Sequence, residues 1–522
     1  MRYLLDGTPW PQQALEVAWS NLLLAQHHDS WIVPYNRVRK RATWADQVRA
    51  WTGVANEVSD SLFDDTRSAQ PYLRVVNTTA APRREWVRVP FPVSPQLRIT
   101  DADGTPALLS RQGDSTLWWL AQTPAMGFST YRLQVGNAPA SADHQHRVLV
   151  NGRHQFRTDL YELEIDPARG GVITSLKLLQ QGGRQLVDTA DTRGFNELRG
   201  YDYDAAAWRS SMDTAAVVTI TSQGSNRSCV EIKGTFAGHP FTQQITLANG
   251  ERRIDMQVRI DWQGQPSLGA YSQQTGYVVE DPRKAFYNDS CKLQLLFPVQ
   301  LKGQRITKDA PFDVTESRLS NTFFSRWDSI RNNIILHWID ITDAGNNAGM
   351  TIFSDHTSSY VHGENYPPGL TLQYAGRALW GMQYGVDGPT VMQYAILPHA
   401  GNWQQAGISR EEARWSEPLK VVRASAPAAH SFFLLQRQGW QVTAMMMDGT
   451  DVLIRLYNAA GGHREQTLQW NGAVQAAMIE ELDGQRQQAL KCIRRKGMTN
   501  IRFSAPPFGV RTLRLKNVQV NS

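Results

Sequence analysis

The chain has 522 residues, 41% hydrophobic and 20% charged, which is too long for one ordinary core and too apolar for disorder; about two to four domains are expected. Its 54 Lys and Arg outnumber 48 Asp and Glu for a net charge of +6, yet the densest basic runs, 37–41 and 491–496, stand in no nucleic-acid-binding module, so nucleic acid is not an expected partner. Cys229, Cys291 and Cys492 lack a Cys-x-x-Cys pair, the start has no signal-peptide core, and no apolar run nears the ~18 residues of a membrane helix, which predicts a soluble, reduced, cytoplasmic protein.

Residues 1–70 read as a small helical bundle. Pro11 can open a helix, since the first turn has no use for the N–H that proline lacks. Leu15, Ala18, Trp19, Leu22 and Leu23 then recur at helical spacing and predict one buried stripe, ending before Pro34. A second helix is predicted from Trp44, Val48, Trp51, Ala55, Val58 and Leu62. From Pro71 the period changes to two. Tyr72-Leu73-Arg74-Val75-Val76, Trp86-Val87-Arg88-Val89 and Tyr131-Arg132-Leu133-Gln134-Val135 predict a small antiparallel β-sandwich over 71–140. The small, polar stretch 138–143 reads as a linker.

Strand patterns continue in Tyr161-Glu162-Leu163-Glu164-Ile165 and at 217–222, 229–233, 254–260, 293–296, 334–341 and 350–353. They suit a large two-sheet sandwich over 145–424. Val452-Leu453-Ile454-Arg455-Leu456-Tyr457 and Arg511-Thr512-Leu513-Arg514-Leu515 predict a C-terminal β domain over 425–522. The expected fold class is therefore mainly β behind a small helical bundle. The 17 Trp suit buried sandwich cores or, alternatively, platforms for sugars.

The densest chemistry is Gln26-His27-His28-Asp29, predicted at the end of the first helix. Two imidazoles and a carboxylate suit a divalent metal such as zinc; a helix-terminal hydrogen-bonding cluster is the other reading. His399 is expected to be structural, tying a loop between sheets. His144, His146 and His154 lie beside the linker and are expected to be solvated. Asp202 and Asp204 could face a sugar groove or form a turn, and Trp31 and Tyr35 could line a sugar subsite or pack within the bundle.

The segment Ala18-Trp19-Ser20-Asn21-Leu22-Leu23-Leu24-Ala25-Gln26-His27-His28-Asp29 closely resembles a helix-end motif of glycoside hydrolase family 38 α-mannosidases. Three further marks follow in that family's order. Residues 161–176, ending Gly-Gly-Val-Ile-Thr-Ser-Leu, are similar to the opening of its large sandwich. Pro398-His399-Ala400-Gly401 resembles its Pro-His-x-Gly signature, and Arg455-Leu456-Tyr457-Asn458 resembles a strand of its last domain.

The resemblance covers the family's C-terminal part. It implies a galactose-mutarotase-like super-β-sandwich as the large domain, and a zinc-dependent retaining α-mannosidase as the whole enzyme. It further implies His28 as a zinc ligand (cobalt or another divalent ion being an alternative), with Asp29 and His27 contacting substrate. The family's upstream domain supplies a His-x-Asp zinc pair and the Asp nucleophile. The chain begins about one helix before the His-His-Asp motif, so no catalytic nucleophile can be assigned, and a truncated or split gene is expected. The expected partners are an α-mannoside oligosaccharide and a separately encoded N-terminal catalytic half, with homo-oligomerisation through an exposed bundle face; no membrane partner is expected. Alone, the chain is expected to bind zinc weakly and hydrolyse little, because one His and one Asp fall short of the three or four ligands zinc takes. The alternative function is a non-catalytic carbohydrate-binding or scaffold β-sandwich protein.

Overall fold

A computed structural model of the chain describes residues 4–5, 7–32, 42–63, 71–94, 96–113, 115–136, 146–202, 204–223, 226–264, 266, 268, 270–272, 292–322, 333–373, 375–379, 382–384, 386, 388–462, 464–485 and 487–521. The fold is mainly β. The described N-terminal part holds helices α1 (Gln12–Ala25), α2 (His28–Ile32) and α3 (Trp44–Phe63). Thr43 starts α3 with a reciprocal cap: its hydroxyl accepts the Asp46 N–H, while its own N–H and hydroxyl donate to the Asp46 carboxylate. The α3 stripe is covered as its spacing predicts, with Val48 and Ala55 buried and Trp44, Trp51, Val58 and Leu62 half-buried.

Helix α1 departs from its expected stripe. Leu15, Ala18 and Leu22 are half-buried and Ala25 is buried, but Trp19 and Leu23 are 59% and 62% exposed. Periodicity tells which residues share a face, not how wide a cover the neighbouring element provides. Here α3 packs along α1 and leaves its flank open.

Two sheets form the small sandwich. One runs Leu97–Thr100, Gly127–Val135, Tyr72–Asn77, Lys420–Ala424, with Ala429–Ser431 also paired to Gly127–Val135. The other runs Ser222–Gln223, Leu109–Gln112, Thr116–Thr123, Arg83–Arg88. Leu73, Val75, Val87, Ile99, Leu117 and Trp119 fill the space between them. Three of these strands come from far along the chain, beyond the predicted span 71–140. Lys420–Ala424 satisfies the backbone groups that would otherwise stand open along Tyr72–Asn77.

The large sandwich is dominated by a nine-stranded antiparallel sheet. Its order is Val217–Ile220, Arg227–Phe236, His239–Ala248, Ile254–Ile260, Thr390–His399, Gly349–Ser354, Trp338–Thr342, Arg305–Ala310, Asp313–Glu316. Ile254, Met256, Val258 and Ile260 alternate into a core shared with Leu163, Ile165 and Leu176 of a second sheet. The turn before Val172–Leu178 needs its glycines. Gly170 and Gly171 both have positive φ, and a Cβ on Gly170 would stand 1.9 Å from the Ser211 carbonyl oxygen. A third core, around Trp440, Val452, Ile454, Leu456, Trp470 and Leu513, lies between the two C-terminal sheets. No helix among the described residues is long and apolar enough to cross a membrane.

Between the sandwiches runs a short helical link, α4 (Trp403–Ala406) and α5 (Ile408–Ser416). Arg414 of α5 donates to Glu85 of the small sandwich (2.6 Å), to Glu251 of the large sandwich (2.7 Å) and to Glu411 of its own helix (2.7 Å). This guanidinium bridges the two sandwiches.

Candidate functional site

The His-His-Asp cluster falls between two helices. Helix α1 ends at Ala25, where the Gln26 N–H still reaches the Leu22 and Leu23 carbonyls, and His28 already opens α2. Asp29 therefore sits in a first helical turn, which favours a carboxylate through the helix dipole. The Asp29 N–H donates to His27 Nδ1 (3.3 Å), and the two imidazoles stack with centroids 4.8 Å apart. His28 Nε2 lies 3.3 Å from Asp29 Oδ1, with side chains 74% and 57% exposed.

A cation could be shared by that one nitrogen and one oxygen. Zinc takes three or four protein ligands at a structural or catalytic site, and His27 Nδ1 is already occupied by a backbone N–H. Among the described residues, no group of three or more His, Cys, Asp or Glu could hold a metal ion. These residues do not fit a zinc site by themselves.

His399 lies within a single sheet rather than on a loop between sheets. Its Nε2 is 2.7 Å from Asp340 Oδ1, and both side chains are buried. Thr351 donates to the same oxygen at 2.7 Å. The contact joins three adjacent strands of the nine-stranded sheet, and it explains Gly349, whose Cβ would stand 2.5 Å from the His399 ring. The rest of that motif turns into α4: Gly401 takes positive φ, and Asn402 and Gln405 cap each other reciprocally.

His146 and His154 pair across adjacent strands at 3.2 Å, and His146 packs on Phe156. Burial lowers the His154 pKa. His144 and Tyr35 lie outside the described residues, as does the Trp31 side chain. Asp202 accepts the backbone N–H groups of Asp204 and Ala205, both at 3.1 Å, so this pair forms a turn.

A groove of about 590 Å³ opens where the outer faces of the two sandwiches meet. From the small sandwich come Trp86 and Trp118, and from the large one Arg227, Arg253 and Gln257. The Arg227 guanidinium lies 4.1 Å from the Trp118 ring centroid, and Arg253 lies 5.2 Å from that of Trp415. Sequence reasoning did not assemble these residues. They come from strands far apart in the chain, and each alone reads as an ordinary outward-facing position.

The described chain has N-terminal helices followed by β-sandwiches, with the exposed His28–Asp29 pair at the helices. Residues 158–363 match the glycosyl hydrolases family 38 C-terminal domain. An α-mannosidase from Enterococcus faecalis V583 superposes with a TM-score of 0.69 at 13% identity, over 99% of this chain and 65% of that one. A family 38 glycosyl hydrolase from Enterococcus faecalis gives the same TM-score and identity over 99% of this chain and 67% of that one. The chain thus has their fold and spans about two thirds of their length. No curated protein matches it. The family 38 C-terminal domain match is confined to residues 158–363, and the likeness to the two solved structures is one of fold.

Proposed function

We propose that this chain is the C-terminal portion of a zinc-dependent retaining α-mannosidase, acting on α-mannosides from a cytoplasmic location. The observation that carries the reading is the family 38 C-terminal domain over residues 158–363. The exposed His28–Asp29 pair supports it, because it offers a nitrogen and an oxygen to a metal whose other ligands come from elsewhere. In this reading His28 is a zinc ligand, while Asp29 and His27 contact sugar hydroxyls. Zinc would supply a grip on vicinal hydroxyls of the mannoside. Retention also requires two carboxyl groups about 5–5.5 Å apart across the glycosidic bond, and an N-terminal catalytic portion supplies the nucleophile.

The test is an assay of the purified 522-residue chain on an aryl α-mannoside with added zinc or cobalt, with and without a co-expressed family 38 catalytic portion. Turnover is expected only in the combined preparation, and His28→Ala should abolish it there. Enzyme-like turnover by this chain alone, or full activity of the combined His28→Ala preparation, would overturn the proposal.

A further inference from the structure

The groove between the sandwiches contains hydrogen-bond donors that the chain itself leaves without acceptors. Nη1 of Arg227 and Nη1 of Arg253 are buried with no partner, as are the indole N–H groups of Trp86 and Trp118. Both arginines are deeply buried, at 5% and 9% exposure. A buried donor left without an acceptor is costly, and each guanidinium keeps one such nitrogen at this groove, although Asp255 pairs Arg253 through Nε and Nη2. We propose that this groove binds a saccharide bearing an oxyanion: a carboxylate, sulfate or phosphate.

The guanidinium groups are held ready for such a ligand. Arg227 rests on the Trp118 face, and Arg253 is fixed by Asp255, whose Oδ1 is 2.5 Å from its Nε. A planar guanidinium held over a ring, with part of its fork unsatisfied, suits a planar or tetrahedral oxyanion better than a lysine would. The three lining carboxylates are already engaged, Asp255 by Arg253, Glu85 by Arg83 and Arg414, and Glu251 by Arg414.

The large-sandwich wall adds what hydroxyl groups need. Gln244, Gln257 and Gln393 stand in register on three neighbouring strands and line the same groove. Each amide offers donors and an acceptor, the mixture that a sugar hydroxyl can use. The volume falls within the ~300–1,000 Å³ usual for small-ligand sites. Both walls are fixed before any ligand arrives. Ser222–Gln223, which follows the edge strand of the large sheet, pairs with Leu109–Gln112 of the small sandwich, and Arg414 bridges the two bodies. That preorganisation removes a cost a mobile site would carry. The proposal stands independently of the mannosidase reading, since it uses neither His28 nor a metal.

Calorimetric titration of the full chain with glucuronate, mannose 6-sulfate, mannose 6-phosphate, neutral mannose and inorganic phosphate tests it. At least one charged sugar is expected to bind about tenfold or more tightly than both mannose and inorganic phosphate, and the strongest arm identifies the oxyanion. Arg227→Gln should weaken that binding about tenfold. Gln257→Ala, on the groove wall outside the core, should weaken it with the melting temperature unchanged. Three results would overturn the proposal: no charged sugar binding better than mannose at millimolar concentration, inorganic phosphate alone binding as well as the sugar, or unaltered affinity in a folded Gln257→Ala variant.

Discussion

Two histidines from the motifs illustrate opposite situations at the residue scale. Asp340 lies inside the nine-stranded sheet, and its Oδ1 serves both Thr351 and His399. Removing that carboxylate takes the partner from the buried His399 Nε2 and from the buried Thr351 hydroxyl. Asp340→Ala is therefore expected to cost about 3 kcal/mol, read as a lower urea midpoint of the transition that includes the large sandwich. His28 is 74% exposed and touches only its neighbours. His28→Ala should leave the same unfolding curve within about 0.5 kcal/mol. Any activity it removes from an assembled enzyme is then chemical, whereas activity lost with Asp340→Ala is a consequence of folding.

At the scale of elements, α5 fastens one sandwich to the other through charge. Burial works to raise the Glu85 carboxyl, but hydrogen bonds and charges from Arg83 and Arg414 outweigh it and hold it at about 2, against an ordinary 4.5. A depressed carboxyl stabilises the fold fully above its unfolded value and loses that contribution as pH falls toward the folded one. On the order of 3 kcal/mol should thus disappear between pH 4.5 and about 2. Glu251 works against this: burial raises its carboxyl, and protonation at low pH relieves that burden. Melting temperatures followed through this range should fall, and Glu85→Gln should flatten the fall while lowering the neutral-pH value. Arg414→Met removes a partner from Glu85, Glu251 and Glu411 at once, leaving Glu85 to Arg83 and Glu411 to the longer Arg252 contact, and is expected to destabilise by about 3 kcal/mol at neutral pH, measurable by chemical denaturation.

At the scale of the whole molecule, local order in the sequence translated well into elements and poorly into their meetings. Val452, Ile454 and Leu456 are fully buried while Leu453, Arg455 and Tyr457 are not, as strict alternation predicts. The Lys420–Ala424 strand gave no hint that it closes a sheet begun at Tyr72, because pairing across such a separation leaves no local mark. Asp340 and Arg227 were invisible as partners for the same reason. The His27-His28-Asp29 cluster was legible as chemistry, but its place at the opening of α2 depended on where α1 stopped. Helix α1 also bears on assembly. Val17, Trp19, Leu23 and Leu24 are all exposed along it, and exposed apolar surface on this scale favours association. The purified chain is therefore expected to self-associate with rising concentration in sedimentation velocity. Trp19→Ser combined with Leu23→Ser should return it to a monomer without lowering its melting temperature, since neither side chain is buried. The same substitutions should weaken capture of a co-expressed catalytic portion if that portion covers this face. A wild-type chain that stays monomeric at high concentration would show that α1 tolerates this exposure and that its open flank drives no self-association.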